Sequence, residues 1–426
     1  MAHMSTAVRF PLHSTVLDNG MRVVVNPDPT VPVVAVNLWF DVGSRDEQPG
    51  RTGLAHLFEH LMFEGSANVA AGEHLAIVQS VGGSANATTW FDRTNYFETV
   101  PTHALDLALW LEADRLASLE LSQETLDNQR AVVLEEKRQR YDNVPYGDVL
   151  IQLIALTFPD GHPYHHPTIG SMDDLAAASL DDVRAFFATH YAPNNAVLTI
   201  VGDVTPDDAV ARAAGYLGGV PPVPRSGRPP AAPLPPLTGV PRAEVSADVP
   251  TDASYTTWRL PARDAPDFAA VELALAILGD GQTSRLHRRL VRTDVIAEGA
   301  GASALALIGG NSIGFAQARG LAGVPAERLE AAIVEEVARL VDDGPLAVEV
   351  DRAKAQFERE WLDQLGRFDS RADLIGCYAT LYGDPEIVNR HLDEVRGVTV
   401  AQVGEAARRY LRPDQRAVLS YRKESA

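Results

Sequence analysis

The run Gly53-Leu54-Ala55-His56-Leu57-Phe58-Glu59-His60-Leu61-Met62-Phe63 sets two histidines and a glutamate into an otherwise apolar stretch. On a helix, His56 and His60 stand four residues apart and project from one face, so that one metal ion can be held by both. Glu59 lies to one side of the imidazole pair, within reach of a water on that metal. The order His-x-x-Glu-His inverts the commoner zinc-peptidase string. A catalytic zinc takes three protein ligands and keeps a fourth position for water, whose pKa falls to about 7. His56 and His60 supply two of the three. Cys377 is the single cysteine, which excludes an intrachain disulfide and a thiolate zinc site and leaves a carboxylate as the natural third ligand. Glu59, outside the ligand set, is suited to take the proton of the water and return it to a leaving amine.

Elements on either side must position this helix. Val16 to Val25 is a pair of β-branched runs joined by Asn19-Gly20, a hairpin pattern. Val31 to Phe40 is apolar nearly throughout and predicts a buried strand, after which Gly43 to Gly53 is a polar loop that delivers the chain to the histidines. Downstream, Gly82-Gly83 leads into Ser84-Ala85-Asn86-Ala87-Thr88-Thr89, a strand whose glycines suit either a close backbone partner, such as an added substrate strand, or a tight packing contact. Asn95 to Val100 is its expected antiparallel neighbour. Residues 103–119 and 123–141 carry helical periodicity. The loop at 158–170 holds His162, His165 and His166 between prolines at irregular spacing, which suits loop hydrogen bonds better than a metal.

The 426 residues exceed one ordinary core and call for more than one domain. Hydrophobic content of 46% and charged content of 22% belong to a globular chain. With 37 basic against 57 acidic residues, the net charge of −20 speaks against nucleic acid as a partner. Apolar runs fall short of the ~20 residues of a membrane span, and the cytoplasm is the expected compartment. Prolines crowd 219–241, which divides the chain into an N-terminal zinc-bearing domain (5–218), a proline-rich linker (219–241) and a C-terminal domain (242–426). A repeat at an offset of 220 residues supports this: 172–175 matches 392–395, Ser179 matches Thr399, Val183 matches Val403 and Pro193 matches Pro413. Two homologous α+β halves follow, each a mixed sheet with packed helices, only the first bearing the histidine motif.

His56 to Gly65, with Gly82 to Ala87 and Ala131-Val132-Val133-Leu134-Glu135 downstream, resembles the pitrilysin (insulinase) family of metallopeptidases, in particular the short bacterial branch similar to mitochondrial processing peptidase. The blocks His162-Pro163-Tyr164 and Ile169-Gly170-Ser171 extend the likeness over nearly the whole chain. Glu135 and Glu136 point about 100° apart on a helix, so only one can face the metal; periodicity leaves both open, and the resemblance assigns Glu135. It further implies a clamshell of two halves, a bound Zn2+, and peptide substrates paired in extended form along Gly83, Asn86 and Ala87. Two departures stand out. Seven residues before Glu135 many members carry a second glutamate, where this chain has Asn128. In the second half the family's substrate-binding arginine is matched by Arg292, while Glu298 occupies the place of its tyrosine. The expectation is a zinc endopeptidase that cleaves extended peptides or leader segments in an enclosed chamber. It would work as a dimer, most readily a heterodimer with a zinc-less homologue; a non-catalytic assembly or peptide-binding subunit of the same fold is the alternative.

Overall fold

The computed structural model describes residues 9–224 and 231–424. Strands β1 (His13–Val16) and β2 (Arg22–Pro27) form the predicted hairpin, with His13 opposite Val25 and Val16 opposite Arg22. Gly20 takes φ +84° in the turn, and neighbouring Asn19 is buried, donating to the carbonyls of Leu217 and Val220. Strand β3 (Val33–Phe40) is buried from Val34 onward. The chain continues through α1 (Leu54–Leu61), α2 (Glu73–Ser80), β4 (Ser84–Thr89), β5 (Thr94–Pro101), α3 (Leu105–Ser118) and α4 (Gln123–Lys137). It then passes through α5 (Val149–Thr157), α6 (Met172–Ala177), α7 (Leu180–His190), β6 (Ala196–Gly202) and α8 (Pro206–Leu217). Beyond residue 231 come β7 (Arg242–Ala247), β8 (Ala253–Pro261), α9 (Phe268–Gly279), β9 (Ala297–Leu305), β10 (Asn311–Gly320) and α10 (Ala326–Asp343). The last elements are α11 (Ala347–Gly366), α12 (Phe368–Leu381), α13 (Ile387–Gly397), α14 (Val400–Tyr410) and β11 (Ala417–Lys423).

The two sheets repeat one topology. The first is ordered β1-β2-β6-β3-β5-β4 and the second β7-β11-β8-β10-β9. Without β1 they correspond strand for strand, with β2/β6 and β7/β11 the parallel pairs and the other pairings antiparallel. The residues that revealed the repeat do equivalent jobs. Ser179 and Thr399 each cap an eleven-residue helix, accepting from the backbone N–H of Asp182 and Gln402, which reach back in capping boxes. Val183 and Val403, one turn in, are fully buried. The fold is therefore α+β, in two structurally homologous parts, and no helix among the described residues is long and apolar enough to cross a membrane.

The compact units do not follow the sequential division at 219–241. One comprises 1–134, 168–227 and 361–392; the other comprises 135–167, 228–360 and 393–426. The exchange follows from sheet faces that need covering. Within the first unit, α12 lies on β3 and β6. A side chain at Gly376 would stand 2.6 Å from Trp39, so only glycine lets the helix approach. Asp373 on the same helix accepts from Trp39 Nε1 at 3.1 Å and from Asn95 Nδ2 at 3.0 Å. Within the second unit, α5 packs on β8 and β11, where Arg259 Nε donates to the Thr157 carbonyl at 2.7 Å. The proline-rich stretch is not a detached connector beyond Ala231: the N–H of Leu234 donates to Asn311 and Arg259 donates to the carbonyl of Pro235. Pro229 and Pro230 lie outside the described residues.

Candidate metal centre

The polar loop before α1 is an anchoring device. Its residues Ser44 and Arg45 donate to the carbonyls of Trp90 and Phe91, and a side chain at Gly43 would clash with this turn at 2.4 Å. The Glu47 carboxylate then accepts from the backbone N–H groups of Gly53 (2.8 Å) and Ala55 (2.7 Å), placing a negative group on the positive end of α1. Asp174 accepts from the N–H and hydroxyl of Thr52 at 2.9 and 2.7 Å. Gly53 caps the helix at φ +91°, where a side chain would stand 2.9 Å from the Ile169 carbonyl. Below, Leu54, Leu57, Phe58 and Leu61 are buried, and Phe58 stacks on Phe186, Phe187 and Tyr191. The histidine helix is fixed at its start by two carboxylates and underneath by aromatic packing.

On this base His56 and His60 stand with ring centroids 4.9 Å apart. The third group that meets them is Glu136: donor atoms of His56, His60 and Glu136 all lie within 4.8 Å of one another. Glu135, the residue assigned by family pattern, does not face them. Its side chain is 54% exposed and engages Arg138 and Gln139 instead. The reason is helical phase. Leu126, Gln129 and Val133 are the buried residues of α4, and Glu136 continues that stripe at three- and four-residue steps, whereas Glu135 is turned about 100° away. α4 runs unbroken from Gln123 to Lys137, so Glu136 stands on the same helix as Leu126, Gln129 and Val133. With Glu136 in this place, the first departure moves as well: seven residues before it stands Gln129, not Asn128, and its Nε2 donates to Glu64 Oε1 at 2.7 Å. Two imidazoles and a carboxylate form a donor set that suits a catalytic zinc with a position left for water.

Glu59 is held beside this group by Thr89, whose hydroxyl donates to Glu59 Oε2 at 2.6 Å. Thr89 ends β4, which among the described residues pairs with β5 alone and so forms an edge of its sheet. Of the residues assigned to substrate, Asn86 is exposed on this strand and its Oδ1 accepts from the N–H of Ala87 at 2.9 Å. Ala87 is buried. Gly83 precedes the strand, and its glycine is required by packing: a side chain would stand 2.8 to 2.9 Å from Val100, Thr99 and Val78. Arg292 lies in the second unit, on the π-helical turn His287–Thr293, donating to Gln282 Oε1 at 3.1 Å. Glu298 is exposed on β9. In the loop at 158–170, the Nδ1 of His162 accepts from the N–H of Tyr164, and His165 Nδ1 lies 2.8 Å from the Phe158 carbonyl.

Sequence reading passed over a buried charge cluster in the first unit. His74 Nε2 lies 2.7 Å from Glu98 Oε1, Arg115 donates to Glu112, and Arg115 also covers the rings of Phe63 and Tyr96. Donor atoms of His74, Glu98 and Glu112 also fall within 4.8 Å of one another. The guanidinium in their midst already supplies the positive charge. Burial pushes Glu98 up to about 7 from 4.5, against the pull of Arg115, and holds His74 down at about 3 from 6.5. A raised carboxyl pKa gives stability that is full below the unfolded value and lost as pH rises through the folded one. The lowered His74 has the opposite dependence, present above its unfolded value and lost as pH falls through about 3. Glu98→Gln removes the contribution of this carboxyl. Its stability relative to the parent chain should improve by about 2 kcal/mol between about pH 5.5 and pH 8. Paired thermal or urea melts at the two pH values measure this, and a constant difference would contradict it.

Comparison with known proteins gives a consistent result. Residues 22–171 match the family model described as insulinase (peptidase family M16), and residues 177–357 match that described as the peptidase M16 inactive domain. The zinc protease PqqE of Helicobacter pylori is 32% identical over 382 residues, which cover 89% of this chain and 85% of that protein. The crystal structure of a protease from Helicobacter pylori superposes with a TM-score of 0.91 at 29% identity, covering 97% of this chain and 99% of the other. A peptidase M16 inactive domain from Pseudomonas fluorescens shares the fold with a TM-score of 0.86 at 21% identity, covering 98% of each chain.

Proposed function

Since the chain belongs to peptidase family M16, we propose that it is a zinc-dependent endopeptidase acting on extended peptides or leader segments. The observation that carries this reading is the convergence of His56, His60 and Glu136, with Glu59 beside them. His56, His60 and Glu136 would hold the metal. When bound, zinc supplies Lewis acidity toward the scissile carbonyl and a water acidic enough to attack near neutral pH. The Glu59 carboxylate would accept a proton from the attacking water and return it to the nitrogen of the departing amine. The edge of β4, without a further strand among the described residues, offers backbone groups to a peptide strand, for which Asn86 would have to release the N–H of Ala87.

A partner is part of the proposal. The occurrence of Glu298 where the family places a tyrosine supports a second, homologous zinc-less chain that completes the grip on substrate, and a homodimer is the simpler assembly. Metal removal tests the central claim. The purified chain should hold one equivalent of zinc and cleave an unstructured quenched fluorogenic peptide. Dialysis against a chelator should abolish cleavage, and stoichiometric zinc should restore it. A chain that folds without zinc and never cleaves would be a binding or assembly subunit.

A further inference from the structure

Strand β4 ends on Thr89, whose side chain reaches out of the sheet to the histidine helix. We infer that Thr89 is the positioning residue of the general base, holding one oxygen of Glu59 so that the other takes the proton; this rests on the peptidase reading above. A hydroxyl donating to a carboxylate oxygen at 2.6 Å is in the range of a charge-assisted bond. Its donor end is itself immobilised. Thr89 pairs with Thr94 across the hairpin, and the Thr94 hydroxyl donates to the Val42 carbonyl at 2.9 Å. The turn between them is closed by Trp90 N–H donating to the Arg93 carbonyl at 2.9 Å.

Arg93 secures the preceding residue. Its guanidinium donates to the Thr88 carbonyl and to Asn95 Oδ1, both at 2.9 Å, and lies 5.0 Å over the Trp39 ring. Asn95 in turn donates to the half-buried Asp373 of α12. A connected series of packed and hydrogen-bonded groups therefore runs from α12 through the hairpin to Thr89. As a β-branched residue, threonine has few side-chain rotamers, so the fixed backbone aims its hydroxyl. The same strand carries the edge along which a peptide would pair, which ties substrate placement and base orientation to one rigid element.

The test uses the full-length zinc-loaded chain and a quenched fluorogenic peptide. Thr89→Val keeps the shape and removes the donor; it should lower kcat by about 10- to 100-fold. KM should stay within about twofold of the parent value, with zinc content and melting temperature unchanged. Thr89→Ser restores the donor and should recover most of the lost kcat. The inference is overturned if Thr89→Val retains full kcat, if Thr89→Ser is as impaired as Thr89→Val, or if Thr89→Val loses zinc or stability in step with its activity. Glu59→Gln, run alongside, separates the two levels. An inactive Glu59→Gln beside an unimpaired Thr89→Val defeats the Thr89 role alone, whereas an active Glu59→Gln defeats the general-base reading beneath it.

Discussion

Glu59→Gln should bind zinc as the parent chain does and yet cleave at least about 10³-fold more slowly. The two halves of that result have separate physical origins. Glu59 shares helix α1 with both histidines but stands outside the group formed by His56, His60 and Glu136, so its charge is not needed to hold the metal. Glutamine has nearly the same shape and can still accept from the Thr89 hydroxyl through its carbonyl oxygen. It cannot take a proton, and catalysis loses the group that shuttles it from water to leaving nitrogen. Metal analysis together with peptide turnover measures both halves. Full activity in Glu59→Gln would remove Glu59 from the chemistry.

The second large effect separates adjacent glutamates. Glu136→Gln should weaken zinc binding by more than about 100-fold, because even residues behind the direct ligands commonly change affinity by 10- to 100-fold, and cleavage should fall with it. Glu135→Gln should leave zinc and turnover essentially unchanged, since its side chain is exposed and engages Arg138 and Gln139. Competition with a fluorescent zinc chelator gives the affinities directly. If Glu135→Gln lost zinc while Glu136→Gln kept it, the helical phase described for α4 would be wrong in solution.

That pair also shows what the amino-acid sequence conveyed and where it fell short. The four-residue step between His56 and His60 needs only helix geometry, and the capping residues Ser179 and Thr399 made the duplication visible because equivalent helices must start in equivalent ways. The third member of the group was obscured by apolar residues on the wrong face: Val132 and Leu134 are exposed, so α4 lacks a clean hydrophobic stripe. Leu126, Gln129 and Val133 carried the phase that pointed to Glu136, but a polar glutamine among them hid it. Glu47 and Asp174 were missed because a carboxylate that binds a helix N-terminus from across a loop leaves no local pattern. The Gly82-Gly83 pair suited either a close backbone partner or a tight packing contact, and the contact that Gly83 makes with Val78 and Val100 could not be named because Val100 lies well apart from it in sequence.

Helix α12 has a consequence for how the protein is made. The ribosome delivers β3, β5 and both histidines early, but Asp373, which gathers Trp39 and Asn95, emerges more than three hundred residues after Trp39. Arg371 likewise pairs with Asp28 across a separation of 343 residues. Until that late segment arrives, one face of the first sheet has no cover and the support behind Arg93 and Thr89 is absent. The candidate centre therefore lacks this support until α12 has been made, and a nascent chain that has not yet reached it would carry its histidine motif on an unfinished scaffold.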